Sequence, residues 1–140
     1  MIFLDTSVLV PIAQVSHIHH RPSRDLWNFL TQKEAAVSVH TVAETYSALT
    51  AMPPALRLAP LEVVAVIETF LKRLTLITLS SEEYLETVRN TAKLGHSGGM
   101  VYDALHLACA RKIGAEQIYT WNLKHFRSLA PDLADIIDTP

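Results

Sequence analysis

The stretch MIFLDTS, residues 1–7, decides the fold, because it joins an apolar run directly to a carboxylate. Ile2, Phe3 and Leu4 are typical of a short buried strand, and Asp5 follows them at once. Burying a charge is costly unless the charge is paired or binds a metal. The first question that the sequence raises is therefore which groups surround Asp5.

Segments of strand and helix character alternate along the rest of the chain. Predicted strands cover residues 2–5, 35–39, 75–79, 117–120 and 134–138. Predicted helices cover residues 7–15, 22–32, 41–51, 60–74 and 100–113, with a further helix between the Ser80–Glu83 capping box and Gly95 and a helical turn at 123–129. Strands separated by helices pair in parallel through right-handed crossovers. We therefore expect an α/β fold: a three-layer α/β/α domain with a central, mainly parallel sheet of four to five strands, residues 1–140 forming a single domain.

Length and composition restrict the class of protein. The chain has 140 residues, 49% of them hydrophobic and 19% charged, which suits a globular domain rather than a disordered chain. The net charge is −2, so nucleic-acid binding would depend on a local basic patch. The single cysteine, Cys109, excludes an intrachain disulfide and fits a reducing compartment. The sequence shows neither a signal peptide nor a membrane span, so we expect a cytoplasmic protein.

Acidic side chains on three separate elements are the candidates for one site. Asp5 ends the first strand, where ligands of parallel sheets bind, and Glu44 lies early in the helix after the second strand. Asp103 lies in MVYDALHLACARKI, a helix that is apolar nearly all round, with no Lys or Arg one turn away. A buried carboxylate without a partner is protonated or needs a cation. Pairing with His106 at i,i+3 is the main structural alternative for Asp103.

Convergence of Asp5, Glu44 and Asp103 would require a divalent cation to offset their repulsion. Ligands that are all oxygen select Mg²⁺ or Mn²⁺, and carboxylate-held Mg²⁺ commonly acts on phosphates. Thr120 and Asn122 follow the fourth strand at the same edge of the sheet. Purely structural roles are open for several of these residues. Asp5 or Ser7 could cap the first helix, Glu44 could form a capping box with Thr41, and Asn122 could be a turn residue.

Four segments together resemble the PIN-domain family, in particular VapC-type toxin ribonucleases of type II toxin–antitoxin systems. They are FLDTSVLV at 3–10, VAE at 42–44, GGMVYDALHLACARKIGA at 98–115 and IYTWNLKHF at 118–126. The segments occur in family order and cover nearly the whole chain. The first and third are specific in combination, whereas VAE alone is weak.

The resemblance implies an active site. Asp5, Glu44 and Asp103 match the metal-binding acids of the family, and Thr6 or Ser7 matches the hydroxyl that follows the first acid. Asn122 occupies the place of a fourth Asp in many members, so this sequence offers a second metal ion one negative charge fewer. The full set of expected catalytic residues is Asp5, Thr6, Ser7, Glu44, Asp103, Thr120 and Asn122.

The resemblance also implies an activity and its partners. We expect an endoribonuclease dependent on Mg²⁺ or Mn²⁺, the toxin of a VapBC-type pair, that hydrolyses RNA phosphodiester bonds with metal-activated water. We further expect a homodimer that is inhibited by a VapB-type antitoxin encoded beside it. A PIN nuclease that processes RNA or acts on DNA, and a non-catalytic RNA- or protein-binding PIN module, are the alternatives.

Candidate RNA contacts lie mostly just after Asn122. They are Lys124, His125 and Arg127, together with His96 in a glycine-rich link and Trp121 as a base-stacking group. The segment SHIHH carries His17, His19 and His20, and a solvated loop is favoured there over a zinc site because no further ligand stands at suitable spacing. A haloacid dehalogenase-type phosphatase is rejected because Ser7 stands where its second Asp is needed. A dinucleotide enzyme is rejected because no glycine-rich turn follows the first strand.

Overall fold

The computed structural model describes residues 1–31 and 34–140, in which five parallel strands form one sheet. The strands are β1 (Ile2–Leu4), β2 (Ala35–Ser38), β3 (Leu74–Ile77), β4 (Gln117–Tyr119) and β5 (Ile137–Asp138). The helices are α1 (Thr6–Ala13), α2 (His20–Phe29), α3 (His40–Thr50), α4 (Pro60–Leu71), α5 (Ser81–Lys93), α6 (Met100–Lys112) and α7 (Leu123–Leu129), with a 3₁₀ helix at Pro131–Ile136. The sheet order is β3-β2-β1-β4-β5.

Strand β1 lies at the centre of the sheet and pairs with β2 on one side and β4 on the other. Ile2 is in register with Ala35, and Leu4 is in register with Tyr119. The Asp5 backbone N–H still donates to the Tyr119 carbonyl oxygen at 3.0 Å, so Asp5 is fixed where the strand ends. The residues that follow β2 and β4 therefore flank Asp5 on its two sides.

Alternate residues of the buried strands face two separate cores. Phe3 and Ile118 pack on one face of the sheet with side chains of α6 and α7, such as Leu107 and Phe126. Leu4 and its neighbours on β2 and β3 pack on the other face with side chains of α1, α2 and α4. Those residues are Leu9, Ile12, Trp27, Ala35, Val37, Phe70 and Leu74. The predicted three-layer α/β/α fold with a parallel sheet is confirmed.

Several predicted boundaries were wrong by a few residues. Helix α2 begins at His20 rather than at 22, because Pro22 is tolerated within the first turn of a helix. It ends at Phe29, and the predicted end at residue 32 lies outside the described residues. Helix α1 ends at Ala13, two residues early, and Gln14 turns away to bond the Leu56 carbonyl oxygen.

Two predicted elements near strand ends are also corrected. Helix α4 ends at Leu71 rather than at 74, because Leu74 already pairs with Ala35 in the sheet. Residues 134–136 belong to the 3₁₀ helix rather than to the last strand, since Pro131 favours a helical turn there. The strand β5 retains only Ile137–Asp138.

The proposed Thr41–Glu44 capping box is absent. Helix α3 begins one residue earlier, at His40, so Thr41 already lies inside the helix. The Ser38 hydroxyl oxygen instead accepts from the Thr41 backbone N–H at 3.2 Å. The Glu44 side chain is therefore not used in a cap and is available to other groups.

The capping box at the start of α5 is confirmed. The Ser80 hydroxyl accepts from the Glu83 backbone N–H at 3.2 Å, and the Glu83 carboxylate accepts from the Ser80 N–H at 2.6 Å. Gly95, with a φ of 75°, follows the helix as predicted and closes its C-terminal end.

Replacing Ser80 by Ala is expected to cost about 1 kcal/mol of unfolding free energy, because the Glu83 N–H loses its acceptor. For a domain of this size the melting temperature should fall by roughly 3 °C in a thermal melt. The matched control is Ser81→Ala, since Ser81 is exposed and already helical. Equal melting temperatures for the two variants would show that the cap adds nothing to stability.

Across the two described ranges, no helix has the length and apolar character needed to cross a membrane. That residues 1–140 form a single domain stays a prediction.

Candidate active site

Asp5 is a buried carboxylate, 2% exposed, that is surrounded by hydrogen-bond donors. It caps α1: Oδ1 accepts from the Thr6 N–H at 2.7 Å and Oδ2 from the Ser7 N–H at 3.3 Å. Oδ2 also accepts from the Ser7 hydroxyl at 2.5 Å and from the Thr120 hydroxyl at 2.9 Å. These donors offset the cost of burial and fix the orientation of the carboxylate. The helix-cap interpretation is thus confirmed, and it leaves Asp5 lining an open cleft.

Glu44 reaches the same place from the second turn of α3. Its Oε2 accepts from the Thr6 hydroxyl at 2.5 Å and lies 2.7 Å from Nε2 of His106. Thr6 therefore joins the two acids, because its backbone N–H binds Asp5 and its hydroxyl binds Glu44. His40 Nε2 lies 3.5 Å from the other Glu44 oxygen.

His106 is a nearly fully buried member of the site, at 1% exposure. Because a carboxylate has only acceptors, Nε2 carries the proton toward Glu44, and the same nitrogen lies 3.6 Å from Asp5 Oδ1. On the other side of the ring, Nδ1 lies 2.8 Å from the Ser38 hydroxyl. The suggested i,i+3 pairing with Asp103 is wrong: His106 bonds Glu44 and Ser38 instead.

Asp103 lies one turn before His106 on α6 and lines the cleft. Burial and the nearby charge of Asp5 raise the pKa of the Asp103 carboxyl, and a hydrogen bond from His125 only partly offsets this. That bond joins His125 Nδ1 to Asp103 Oδ2 at 3.0 Å. Asp103 and Asp5 thus line one cleft as two acids whose charges repel each other.

Two further pKa shifts reflect the pairing of Glu44 with His106. Burial raises the pKa of Glu44, but its bonds to His106 and Thr6 outweigh burial and hold it below the ordinary value. Burial lowers the pKa of His106, but the bond to Glu44 and the charges of Asp5, Glu44 and Asp103 outweigh burial and raise it. The three acids thus stabilise the imidazolium form of His106 more than burial destabilises it.

The acids line a cleft of about 810 Å³ at the carboxyl end of the sheet. Its floor includes Asp5, Glu44 and Asp103. Around them lie Thr6, Ser7, Val10, Pro11, His17, His19, His40, Ala43, Ser47, Ala48, Tyr102, Trp121 and Asn122. Clefts at this position of a parallel sheet are the usual ligand sites of α/β folds.

A sequence model of the PIN domain matches residues 2–130. The chain belongs to the PIN-domain family. It is 35% identical over 113 residues to Ribonuclease VapC27 of Mycobacterium tuberculosis (strain ATCC 25618 / H37Rv), covering 81% of this chain and 79% of that protein.

Solved structures confirm the fold of this PIN domain. One is VapC20 of Mycobacterium tuberculosis, a sarcin–ricin loop cleaving toxin, with a TM-score of 0.74 and 18% identity over 89% of this chain and 92% of that chain. Another is VapBC2 from Rickettsia felis bound to a DNA fragment from its promoter, with a TM-score of 0.64 and 22% identity over 99% and 98%.

Most residues predicted for the active site of the PIN domain lie together. Thr120 is fully buried behind Asp5 and orients it, and Asn122 borders the cleft. The Asn122 backbone N–H donates to the Thr120 hydroxyl at 2.9 Å. The catalytic roles of all these residues stay predictions.

The predicted RNA contacts are more scattered. Trp121 lines the cleft, and His125 reaches it through Asp103. Lys124 is exposed on α7, and His96 lies in the link between α5 and α6; neither lines the cleft. The Arg127 guanidinium donates to the Ile137 carbonyl oxygen at 2.8 Å. Their roles in RNA binding also stay predictions.

Several residues near the acids were not singled out for the site from the sequence. This group contains His106, Ser38, His40 and Tyr102. Their contacts across the cleft are with residues that are distant in the sequence, so sequence spacing could not predict them. The segment SHIHH was interpreted as a solvated loop, but His17 and His19 line the cleft and His20 begins α2. Within residues 1–31 and 34–140, the group that could hold a metal is Asp5, Glu44 and His106, so the zinc interpretation of SHIHH gains no support.

The metal-free PIN domain is expected to lose stability as the pH rises above 6.5, the ordinary pKa of histidine. Because folding raises the pKa of His106, its contribution is fully present below 6.5 and is lost as the pH rises through the folded-state value. Melting temperatures measured in EDTA between pH 6.5 and 9 test this. His106→Gln should flatten the curve, and a wild-type melting temperature that rises over this range would contradict the assignment.

Proposed function

We propose that this PIN domain is an endoribonuclease that depends on a divalent metal ion, Mg²⁺ or Mn²⁺, and acts as the toxin of a VapBC-type pair. The observation that carries the proposal is the meeting of Asp5, Glu44 and Asp103, from three separate elements, in one open cleft. The 35% identity to Ribonuclease VapC27 supports RNA as the substrate.

The residues fit a metal ion. One carboxylate oxygen of Asp5 and one of Glu44 lie within 4.8 Å of each other, and Asp103 shares the cleft. His106 donates to Glu44 and so orients this ligand. Oxygen donors favour a hard ion such as Mg²⁺ or Mn²⁺, and the ion would offset the repulsion that raises the pKa of Asp103. A divalent ion in such a site supplies Lewis acidity toward a phosphodiester and lowers the pKa of water.

The chain's own hydroxyl groups pre-organise the acids. Thr6 binds Asp5 and Glu44 together, and Ser7 and Thr120 both donate to Asp5 Oδ2. His106 holds the Glu44 carboxylate from the buried side. Because these donors fix the carboxylates before any ligand arrives, little reorganisation is needed on binding. Asn122 adds no charge, so three acids are proposed to hold one ion more strongly than a second.

The proposed partner is a VapB-type antitoxin, supported by the fold likeness to VapBC2 from Rickettsia felis. Its tail would cover an apolar groove and bring a basic side chain to the acids. We also propose a homodimer and a cytoplasmic location. Light scattering at working concentration tests the dimer, and a monomeric mass would contradict it.

The test of the proposed function is RNA cleavage by the purified chain freed of any co-purified partner. Reactions with Mg²⁺, Mn²⁺ and EDTA are compared, and the product ends are mapped. We expect cuts that need the metal and leave 5′-phosphate and 3′-hydroxyl ends. Metal binding without cleavage of any RNA would instead support the non-catalytic PIN module, and cleavage of DNA alone would support the DNA nuclease.

A further inference from the structure

The described lining of the cleft contains acids and aromatic rings but neither lysine nor arginine. Proteins that hold single strands through the backbone normally supply a positively charged groove. A cleft with an acidic floor needs another source of affinity for a nucleic acid, beyond any bound metal ion.

One wall of the cleft is a stacked pair of rings. The His19 imidazole lies parallel to the Trp121 indole, with ring centroids 3.7 Å apart and planes 7° from parallel. The Trp121 Nε1–H donates to the buried Ser23 hydroxyl at 3.0 Å, and its backbone N–H donates to the Ser7 hydroxyl at 2.9 Å. The indole is therefore held in one orientation, and His17 extends the group at 5.5 Å from His19.

The other wall is a second stacked pair. The His40 and Tyr102 rings lie 5.0 Å apart with planes 17° from parallel. His40 is held by Glu44 at 3.5 Å, and Tyr102 directly precedes Asp103 on α6. Tyr102 is 47% exposed, so its ring offers area to a further planar group.

The sheet order places these two pairs on opposite sides of Asp5. Trp121 follows β4 and His40 follows β2, and these strands are the two neighbours of β1. A chain whose phosphate lies over Asp5 would thus have one ring pair on each side. This placement suits a strand with its bases turned out, and it does not suit a duplex, whose bases are already stacked on one another.

We propose that the cleft binds unpaired RNA by stacking nucleobases on the His19–Trp121 and His40–Tyr102 pairs, on either side of the scissile phosphate. The proposal rests on the proposed function, because it names the substrate class of that same site. Stacking on the base faces then contributes more to RNA affinity than contacts with the phosphates do. Affinity for single strands should depend on salt only weakly, with a slope of log Kd against log salt below about 1.5, which corresponds to about two phosphates.

The test measures binding to a fluorescent eight-nucleotide RNA by anisotropy in Mg²⁺, with Asp103→Asn present throughout to prevent cleavage. Tyr102→Ala should weaken binding by about 5- to 150-fold, the range found for loss of one stacked base, whereas Tyr102→Phe should bind normally. Tyr46→Ala is the matched control, because Tyr46 is 40% exposed and lies outside the cleft lining. Abasic substitutions in the RNA supply the matching change on the ligand.

Further outcomes separate this inference from the proposed function. Removing the stacked base from the RNA should weaken binding by the protein that retains Tyr102. The same abasic RNA should bind the Tyr102→Ala variant as well as the intact RNA does. A salt slope of five or more, equal binding of duplex and single strand, or full affinity of Tyr102→Ala would each overturn the stacking inference. Absence of cleavage by the wild-type protein, with the stacking results intact, would overturn the nuclease and leave the single-strand site standing.

Discussion

The Asp103→Asn variant is expected to cleave RNA about a thousandfold or more slowly than the wild-type protein while keeping its fold. The substitution keeps the shape of the side chain and removes one of the three charges proposed to hold the metal ion. A bound ion contributes several kcal/mol to stabilising a phosphoryl transition state, and each 1.36 kcal/mol is tenfold in rate. The expected loss should appear in single-turnover cleavage at saturating Mg²⁺.

The stability of the same variant gives an independent check. Because Asp5 repels the Asp103 carboxylate and burial adds to the cost, removing that charge should leave the melting temperature in EDTA unchanged or higher. The control for the charge change is Asp25→Asn, on the exposed face of α2, which should cleave normally. Wild-type cleavage by Asp103→Asn would remove Asp103 from the metal site, and an unfolded variant would show that the carboxylate is structural.

The parallel direction of the strands could be predicted from the sequence because each buried strand is a short apolar run between helices, whereas their order in the sheet was not predicted. Phe3 and Leu4 face opposite cores, and the adjoining Asp5 marks the end of β1. The boundaries that failed lie where tertiary pairing decides them. Leu74 leaves the predicted helix because it pairs with Ala35, and residues 134–136 coil because Pro131 precedes them.

The acids of the site could be predicted, whereas their neighbours could not. Asp5, Glu44 and Asp103 were recognised from local patterns around each residue. The partner of His106 depends on where α3 crosses α6, and local spacing pointed to Asp103 instead of Glu44. The absence of the Thr41–Glu44 capping box has a local cause: α3 begins at His40, and the Ser38 hydroxyl accepts from the Thr41 N–H, which leaves Glu44 for the cleft.

His106 is expected to set the affinity for the metal ion through the orientation of Glu44, and two substitutions can separate its two bonds. In His106→Gln the amide nitrogen can replace Nε2 and still donate to Glu44, but nothing replaces Nδ1. In His106→Asn the shorter amide can still bond the Ser38 hydroxyl, but Glu44 loses its donor. Each variant removes one hydrogen bond of the buried His106 side chain, so each should lose about 1–3 kcal/mol of unfolding free energy.

Affinity for the metal ion should distinguish the two variants although their stabilities are similar. Removing a residue that hydrogen-bonds to a metal ligand and orients it commonly weakens metal affinity by about 10- to 100-fold. We therefore expect Mn²⁺ binding, measured by calorimetry, to weaken by about that factor in His106→Asn and by only a few-fold in His106→Gln. Equal losses in both variants would mean that His106 acts through packing alone. Unchanged binding in both would mean that Glu44 needs no support from α6, and Thr6, which donates to Glu44 at 2.5 Å, would then be the group that positions it.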